Sequence, residues 1–328
     1  MYLLEKSIKS IINYSFLKST SNTINIGYGI DDNYVHCCAT SIVSFYENNP
    51  HQNFHFHILA SDFTKESINK LKILAQQYNI NISIYIVDSN YFYKLPTKSV
   101  FPIPTYFRFL LPILNKNLSK IIYVDADIIC LNNIEELLSF NLDNNIIAAV
   151  PDTERMNKNR NNALKLKNHI YFNAGMLLVN VKEWNKYNTT DKLIETVLNT
   201  VYELDFLDQD ALNLILTQKV AYLPKKFNYF NNGKVTDKEI KEIVLLHFTA
   251  SPKPWHVGWE ISPLSNSYNM DLYKFYENQT PWRNSLPVIS RKAYHLLTYS
   301  KNLYHNGYYL KSIKYFILAL LAKLKSMI

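Results

Sequence analysis

Cysteine is nearly absent. The 328-residue chain has three, Cys37, Cys38 and Cys130. They form no CxxC pair and no metal-ligand spacing, and adjacent cysteines seldom bridge each other, so structural disulfides are not expected. No apolar run approaches the roughly 20 residues that a membrane-spanning helix needs, which excludes a polytopic membrane protein. Glycine (6) and proline (12) are too scarce for a collagenous or low-complexity chain. Neither a dinucleotide fingerprint nor a P-loop is present, and no internal repeat is detectable. What is abundant, 25 Tyr and 17 Phe with much Asn, Ile and Lys, fits an AT-rich genome and carries no functional reading.

With 48% hydrophobic and 19% charged residues, the chain is long enough for two compact domains or one large α/β domain with an appendage. Its net charge of +8, partly concentrated at the C-terminal end, suits nucleic acid, nucleotides or an acidic membrane. Across Met1 to Ser19, Leu4, Ile8, Ile11, Ile12 and Phe16 recur at helical spacing, interrupted by Glu5, Lys6 and Lys9. This predicts a helical extension over residues 1–22 and no secretory signal, so the chain is expected to be cytoplasmic.

From Ile24 onward, apolar runs alternate with helical periods. Strands are expected at Ile24–Tyr28, Phe54–Ala60, Asn81–Val87, Lys120–Val124 and Ile243–His247, with apolar runs at Ile146–Val150 and Met176–Val181. Helices are expected at Ala39–Tyr46, Lys65–Tyr78, Thr105–Leu114, Ile134–Ser139 and Asp210–Leu216. The βαβαβ start predicts an α/β domain with a mostly parallel sheet, whose ligands lie at strand C-terminal ends. Asp152 to Asn168 is polar and basic, either a lid over a site or a solvated insertion. After Pro287 the chain is helical and basic, and Lys311 to Lys325 encloses an apolar run too short to cross a bilayer. That run suits a helix in a membrane interface or a helix docked on the fold.

Three segments carry candidate chemistry. Asp125 and Asp127 follow a buried-looking strand, and carboxylates spaced i, i+2 there can face one hard cation. A second such pair, Asp208 and Asp210, shows that the spacing alone is not decisive. The turn Gly29-Ile30-Asp31-Asp32-Asn33-Tyr34 follows the first strand. Its amide and carboxylate groups suit a base edge and Tyr34 suits stacking on the ring, or the turn caps a helix. His247, ending a strand, is a metal ligand or a structural histidine, and Lys253, fixed between two prolines, suits a phosphate.

Together with Tyr171-Phe172-Asn173-Ala174-Gly175 and Asp208-Gln209-Asp210, these segments resemble glycosyltransferase family 8 from about Asn25 to Trp282. Within it they resemble the bacterial lipopolysaccharide core glucosyl- and galactosyltransferases. The resemblance implies a GT-A nucleotide-sugar-binding fold over residues 23–285, with residues 286–328 a basic amphipathic membrane-association segment. It implies a retaining hexosyltransferase using UDP-glucose or UDP-galactose, with Mn2+ or Mg2+ held by Asp125, Asp127 and His247. Gly29, Ile30, Asp31, Asp32, Asn33 and Tyr34 would form the uridine-binding turn, with Ala126 against the ribose. Lys253 and Arg108 would lie at the diphosphate, and Asn173, Ala174, Asp208 and Gln209 around the donor sugar. Ala250 stands where relatives often carry glycine, and Gly29 where they often carry alanine.

Asp127, Asp208 and Gln209 are the catalytic candidates. An amide is a poor nucleophile, so front-face substitution is preferred, with Gln209 steadying the oxocarbenium-like centre. Asp210 is a remote nucleophile or a helix cap. The implied acceptor is lipopolysaccharide core at the cytoplasmic face of the inner membrane, reached through the C-terminal tail. The alternatives are a family 8 enzyme with a capsule, glycoprotein or glycogen-like acceptor, and a non-catalytic UDP-sugar or glycan binder. No nucleic-acid-binding module is recognisable.

Overall fold

The structure, a computed structural model, describes residues 4–17, 22–98, 102–167, 169–231, 237–249, 251–265, 267–289 and 292–325. A 3-10 turn, Leu4–Ser7, leads into β1 (Ile8–Ser15). Then come β2 (Ile24–Ile30), α1 (Val35–Asn48), β3 (Phe54–Ala60), α2 (Lys65–Tyr78) and β4 (Asn81–Val87). After a 3-10 helix at Ile103–Phe109 follow α3 (Leu111–Leu114), β5 (Lys120–Val124), β6 (Ile128–Cys130), α4 (Glu135–Ser139), β7 (Ile147–Pro151) and α5 (Glu154–Ala163). Next are β8 (Phe172–Asn180), α6 (Val181–Lys186), α7 (Thr189–Asn199), α8 (Leu207–Ile215), β9 (Val220–Tyr222), β10 (Tyr229–Phe230), α9 (Asp237–Glu242) and β11 (Leu245–His247). The described chain ends with α10 (Ser267–Glu277), α11 (Ala293–His305) and α12 (Tyr309–Lys325).

The central sheet has the order β1-β4-β3-β2-β5-β8-β7-β9. Strands β2, β3, β4, β5, β7 and β9 run one way, and β1 and β8 run against them. Its central strands read as apolar runs because both faces are covered. One face buries Phe54, Phe56 and Ile58 beneath α1 and α2, with Phe45 of α1 packed on Phe54. The other buries Phe107, Phe109, Leu177, Trp184 and Leu212 beneath the helices that follow. Each such side chain contributes about 1.5–3 kcal/mol.

The helix expected at the N-terminus is corrected: among the described residues this segment is a short 3-10 turn and then β1. Its isoleucines satisfy either period, and tertiary pairing decides. β4 is otherwise an edge, and β1 covers it in antiparallel register from Ile8 opposite Val87 to Ser15 opposite Asn81. Asn81 then accepts the N–H groups of Phe16 and Leu17 at 2.9 and 3.1 Å. The helix expected over Thr105 to Leu114 is likewise divided into the 3-10 helix and α3. Pro112, lacking an N–H, sits at the start of α3.

Two features position the site. A second, three-stranded sheet, β10-β11-β6, grows from the end of β5, and its register sets His247 opposite Ile128, one residue after Asp127. In β8, a bulge between its pairings with Val150 and Ala149 throws out residues 174–176 beside the end of β5. There the Asp125 N–H donates to the Gly175 carbonyl at 2.8 Å.

Candidate active site

Strand β5 ends in Val124, and the chain then turns through Asp125 and Asp127 before β6. Asp125 accepts from the Tyr123 hydroxyl at 2.7 Å and from Arg108 Nη2 at 2.9 Å. Asp127 faces His247 Nε2 at 3.1 Å and accepts from Lys253 Nζ at 2.6 Å. Burial raises the Asp127 carboxyl, but Lys253 and then His247 outweigh it and hold it well below the usual carboxylate range. One ligand atom from each of Asp125, Asp127 and His247 lies within 4.8 Å of the others. Two carboxylates and an imidazole suit Mn2+ or Mg2+, and they leave positions open for substrate oxygens. Gly175 makes room for them: a Cβ there would lie 2.4 Å from His247 Cε1.

Arg108 joins this cluster to the next. Its guanidinium lies over the Tyr123 ring, 4.3 Å from the centroid, and reaches Asp208 from Nε at 2.9 Å and the Ala174 carbonyl from Nη1. Burial raises Asp208 to about 7; Arg108 opposes this, while Asp125 and Asp210 add to it. One guanidinium shared by two carboxylates does not hold both ionised as strongly as it holds one. Gln209 accepts the Ala174 N–H at 2.9 Å and donates to the Tyr171 hydroxyl at 3.2 Å. Leu207, opening α8, has a φ of 29°, a strained value for a branched side chain directly before Asp208 and Gln209.

Asp210 acts as helix cap. It is fully buried, and it accepts the Phe206 N–H at 2.9 Å, the Tyr171 hydroxyl at 2.6 Å and Arg160 at 3.1 and 2.7 Å. Arg160 comes from the polar 152–168 segment, so this insertion is no freely solvated loop. It forms α5, capped by Thr153 and locked to α8 by a buried ion pair.

The turn after β2 lies beside β5, since Gly27 pairs with Tyr123. Asp31 caps the turn by accepting the Asn33 N–H at 3.0 Å, and Asp32 accepts the Thr64 N–H at 3.3 Å, so both oxygen sets have local partners. Tyr34 meets Trp255 edge-on at 6.2 Å, and burial followed by the Asp127 charge raises its phenol above the ordinary value. Gly29 packs under Pro104, whose carbonyl would lie 2.8 Å from an added Cβ. The side chains of Ile30 and Ala126 are both buried in the core that also holds Phe54 and Phe56. Ala250 falls outside the described residues.

The hydrogen-bonded network thus brings together Asp125, Asp127, His247, Lys253, Arg108, Asp208, Gln209, Asn173 and Ala174, from six separate segments. Sequence reasoning gave no site role to Tyr123, Gly175, Asn228, Asp152, Tyr171 or Trp255, although Tyr171 and Gly175 stand in the segment around Asn173 that carries the family resemblance. Tyr123 was legible, because strand alternation puts it on the face of Asp125. Asn228 was not: it is one buried asparagine in an asparagine-rich chain.

A lipopolysaccharide 1,3-galactosyltransferase of Salmonella typhimurium is 30% identical over 330 residues, covering 96% of this chain and 96% of that protein. A lipopolysaccharide 1,2-glucosyltransferase of Escherichia coli is 32% identical over 277 residues, 80% of each. The solved structure of the galactosyltransferase LgtC with donor and acceptor sugar analogues has a TM-score of 0.66 at 20% identity. It covers 79% of this chain and 96% of that one. The sheet and its attached three-stranded extension therefore form a glycosyltransferase fold of the GT-A type. The chain belongs to glycosyl transferase family 8, whose sequence profile matches residues 25–258.

Proposed function

We propose that the protein is a retaining, UDP-hexose-dependent glycosyltransferase that adds an α-linked glucose or galactose to lipopolysaccharide core. The observation that carries this reading is the convergence of Asp125, Asp127 and His247 beside Arg108 and Gln209, in a chain whose relatives are lipopolysaccharide glycosyltransferases. Asp125, Asp127 and His247 would hold Mn2+ or Mg2+, which when bound supplies Lewis-acid charge at a diphosphate. Lys253 and Arg108 add fixed positive charge on either side. Neighbouring His256 is lowered to about 4 by burial and by Lys253 and other cations, so that loop is electropositive without its imidazole. Gln209 directs its carbonyl oxygen to the Ala174 N–H, which leaves it poorly placed as a nucleophile and supports front-face substitution. The test is UDP release from UDP-glucose and UDP-galactose by the full chain, with Mn2+ or with chelator. Chelator-sensitive release from one donor is the expected result; release unaffected by chelator removes the metal reading.

The same reading places the enzyme at the cytoplasmic face of the inner membrane. All of the net charge lies after Glu277, where eight Lys or Arg stand with no Asp or Glu, against 27 of each sign before it. Among the described residues no helix is long and apolar enough to cross a membrane. Instead, α12 packs on α11 through Ser312 and leaves Leu310, Ile313, Ile317, Leu321 and Leu324 on one exposed face, Leu310 at 86%. Lys311, Lys314 and Lys323 lie alongside that face. α11 is part of the fold: Tyr299 packs on Gly258, beside the Lys253 loop. Ile313→Glu with Ile317→Glu is therefore expected to abolish sedimentation with anionic liposomes while preserving UDP release on a soluble acceptor. Retained sedimentation would remove the membrane role of α12.

A further inference from the structure

We propose that Asn228 is a positioning residue that fixes the ring of His247 and, through Asn173 and Asp152, ties the cation-holding cluster to Gln209. The inference rests on the reading that Asp125, Asp127 and His247 hold a divalent cation.

The direction of the chain of hydrogen bonds follows from its far end. An ionised carboxylate only accepts, so Asp152 Oδ2, 3.1 Å from Asn173 Nδ2, takes the amide donor of Asn173. The Asn173 carbonyl is thereby turned toward Gly175 and Asn228, accepting the Gly175 N–H and Asn228 Nδ2, both at 2.9 Å. Asn228, with its donor spent, presents Oδ1 to His247 Nδ1 at 2.8 Å, and Nδ1 must carry the hydrogen. The ring is left with Nε2 aimed at Asp127, the nitrogen that a cation would take.

Asn228 and His247 are 1% and 5% exposed, so no water competes freely for these bonds. Their placement is built into the backbone. Asn228 directly precedes β10, whose Phe230 pairs with His247 in β11. Gly175, without a Cβ, admits the ring from the other side. The same Asp152 oxygen lies 3.4 Å from Gln209 Nε2, so one carboxylate sets the amide orientations toward both the metal histidine and the residue beside the donor sugar.

The test is Mn2+ binding to the full chain in the presence of UDP, read from the electron paramagnetic resonance signal of free Mn2+. Asn228→Leu removes the acceptor and is expected to weaken Mn2+ about 10–100-fold. Asn228→Asp keeps an acceptor on Nδ1–H but opposes the Asn173 carbonyl. It is expected to bind Mn2+ at least as tightly as the wild type while raising the KM for UDP-hexose. Wild-type Mn2+ affinity in a folded leucine variant, or equal losses in both variants, overturns the assignment. A wild type that binds no Mn2+ would instead remove the cation reading, and the assignment with it.

Discussion

Replacing Asp127 by alanine is expected to lower Mn2+-dependent UDP release by about 10²–10³-fold and to destabilise the fold at neutral pH. The two effects have one origin. Asp127 is mostly buried between the cationic Lys253 Nζ at 2.6 Å and His247 Nε2 at 3.1 Å. Removing its carboxylate leaves Lys253, 8% exposed, without its counter-charge, a class of change that costs about 3–5 kcal/mol. The sign with pH follows from the shift. The folded pKa lies below the unfolded value, so the contribution of Asp127 is fully present above about pH 4 and is lost as pH falls through the folded pKa. The gap in Tm between wild type and Asp127→Ala should therefore be widest at neutral pH and close in strong acid. Asp127→Asn, nearly isosteric, separates the effects, since it keeps a hydrogen-bond acceptor for Lys253 but loses the charge. A pH-independent gap would remove the electrostatic explanation. Undiminished release by either variant would remove the cation from the reaction.

The parts of this site legible in the sequence are those made within one segment. β2, β3, β4 and β5 stand out as apolar runs because helices cover both faces of the sheet, and the turns that follow them are polar because they lie at strand ends. Asp125 and Asp127 were found that way. His247 is 120 positions after Asp127, and only family resemblance joined the two before the register of β11 on β6 supplied the physical link. At Ile30 strand alternation turns the side chain into the core, so only its backbone is left to face the turn that follows. Composition misled at Arg160: in a polar run it reads as solvated, yet it is buried against Asp210, fifty residues away. The N-terminal isoleucines were equally compatible with helix and strand until β4 offered an unpaired edge.

Asp208 carries the opposite pH signature, and Asp208→Asn is expected to stabilise the protein while impairing it. Burial lifts Asp208 to about 7 in spite of Arg108, since Asp125 shares that guanidinium. Unfolded, the same carboxyl titrates near about 4. The folded state therefore binds the extra proton between about pH 4 and 7, and stability contributed by Asp208 falls as pH rises through that window and stays low above it. At about 1.4 kcal/mol per unit, the cost of ionising this 2% exposed group is at most about 4 kcal/mol. Asparagine avoids it and still offers an oxygen to Arg108. Near pH 3, where Asp208 is neutral in the folded and the unfolded chain alike, the variant and the wild type should melt together; at pH 8 the variant should melt higher. Catalysis should move the other way, because a charged hydrogen bond to a donor-sugar hydroxyl is worth about 1.5–3 kcal/mol, or about 10–100-fold in rate. Melting curves at the two pH values decide the electrostatic part, which fails if the difference in Tm is the same at both. UDP release at pH 8 decides the rest: a more stable protein with a slower reaction means that Asp208 is kept ionised, at a cost to the fold, for the reaction.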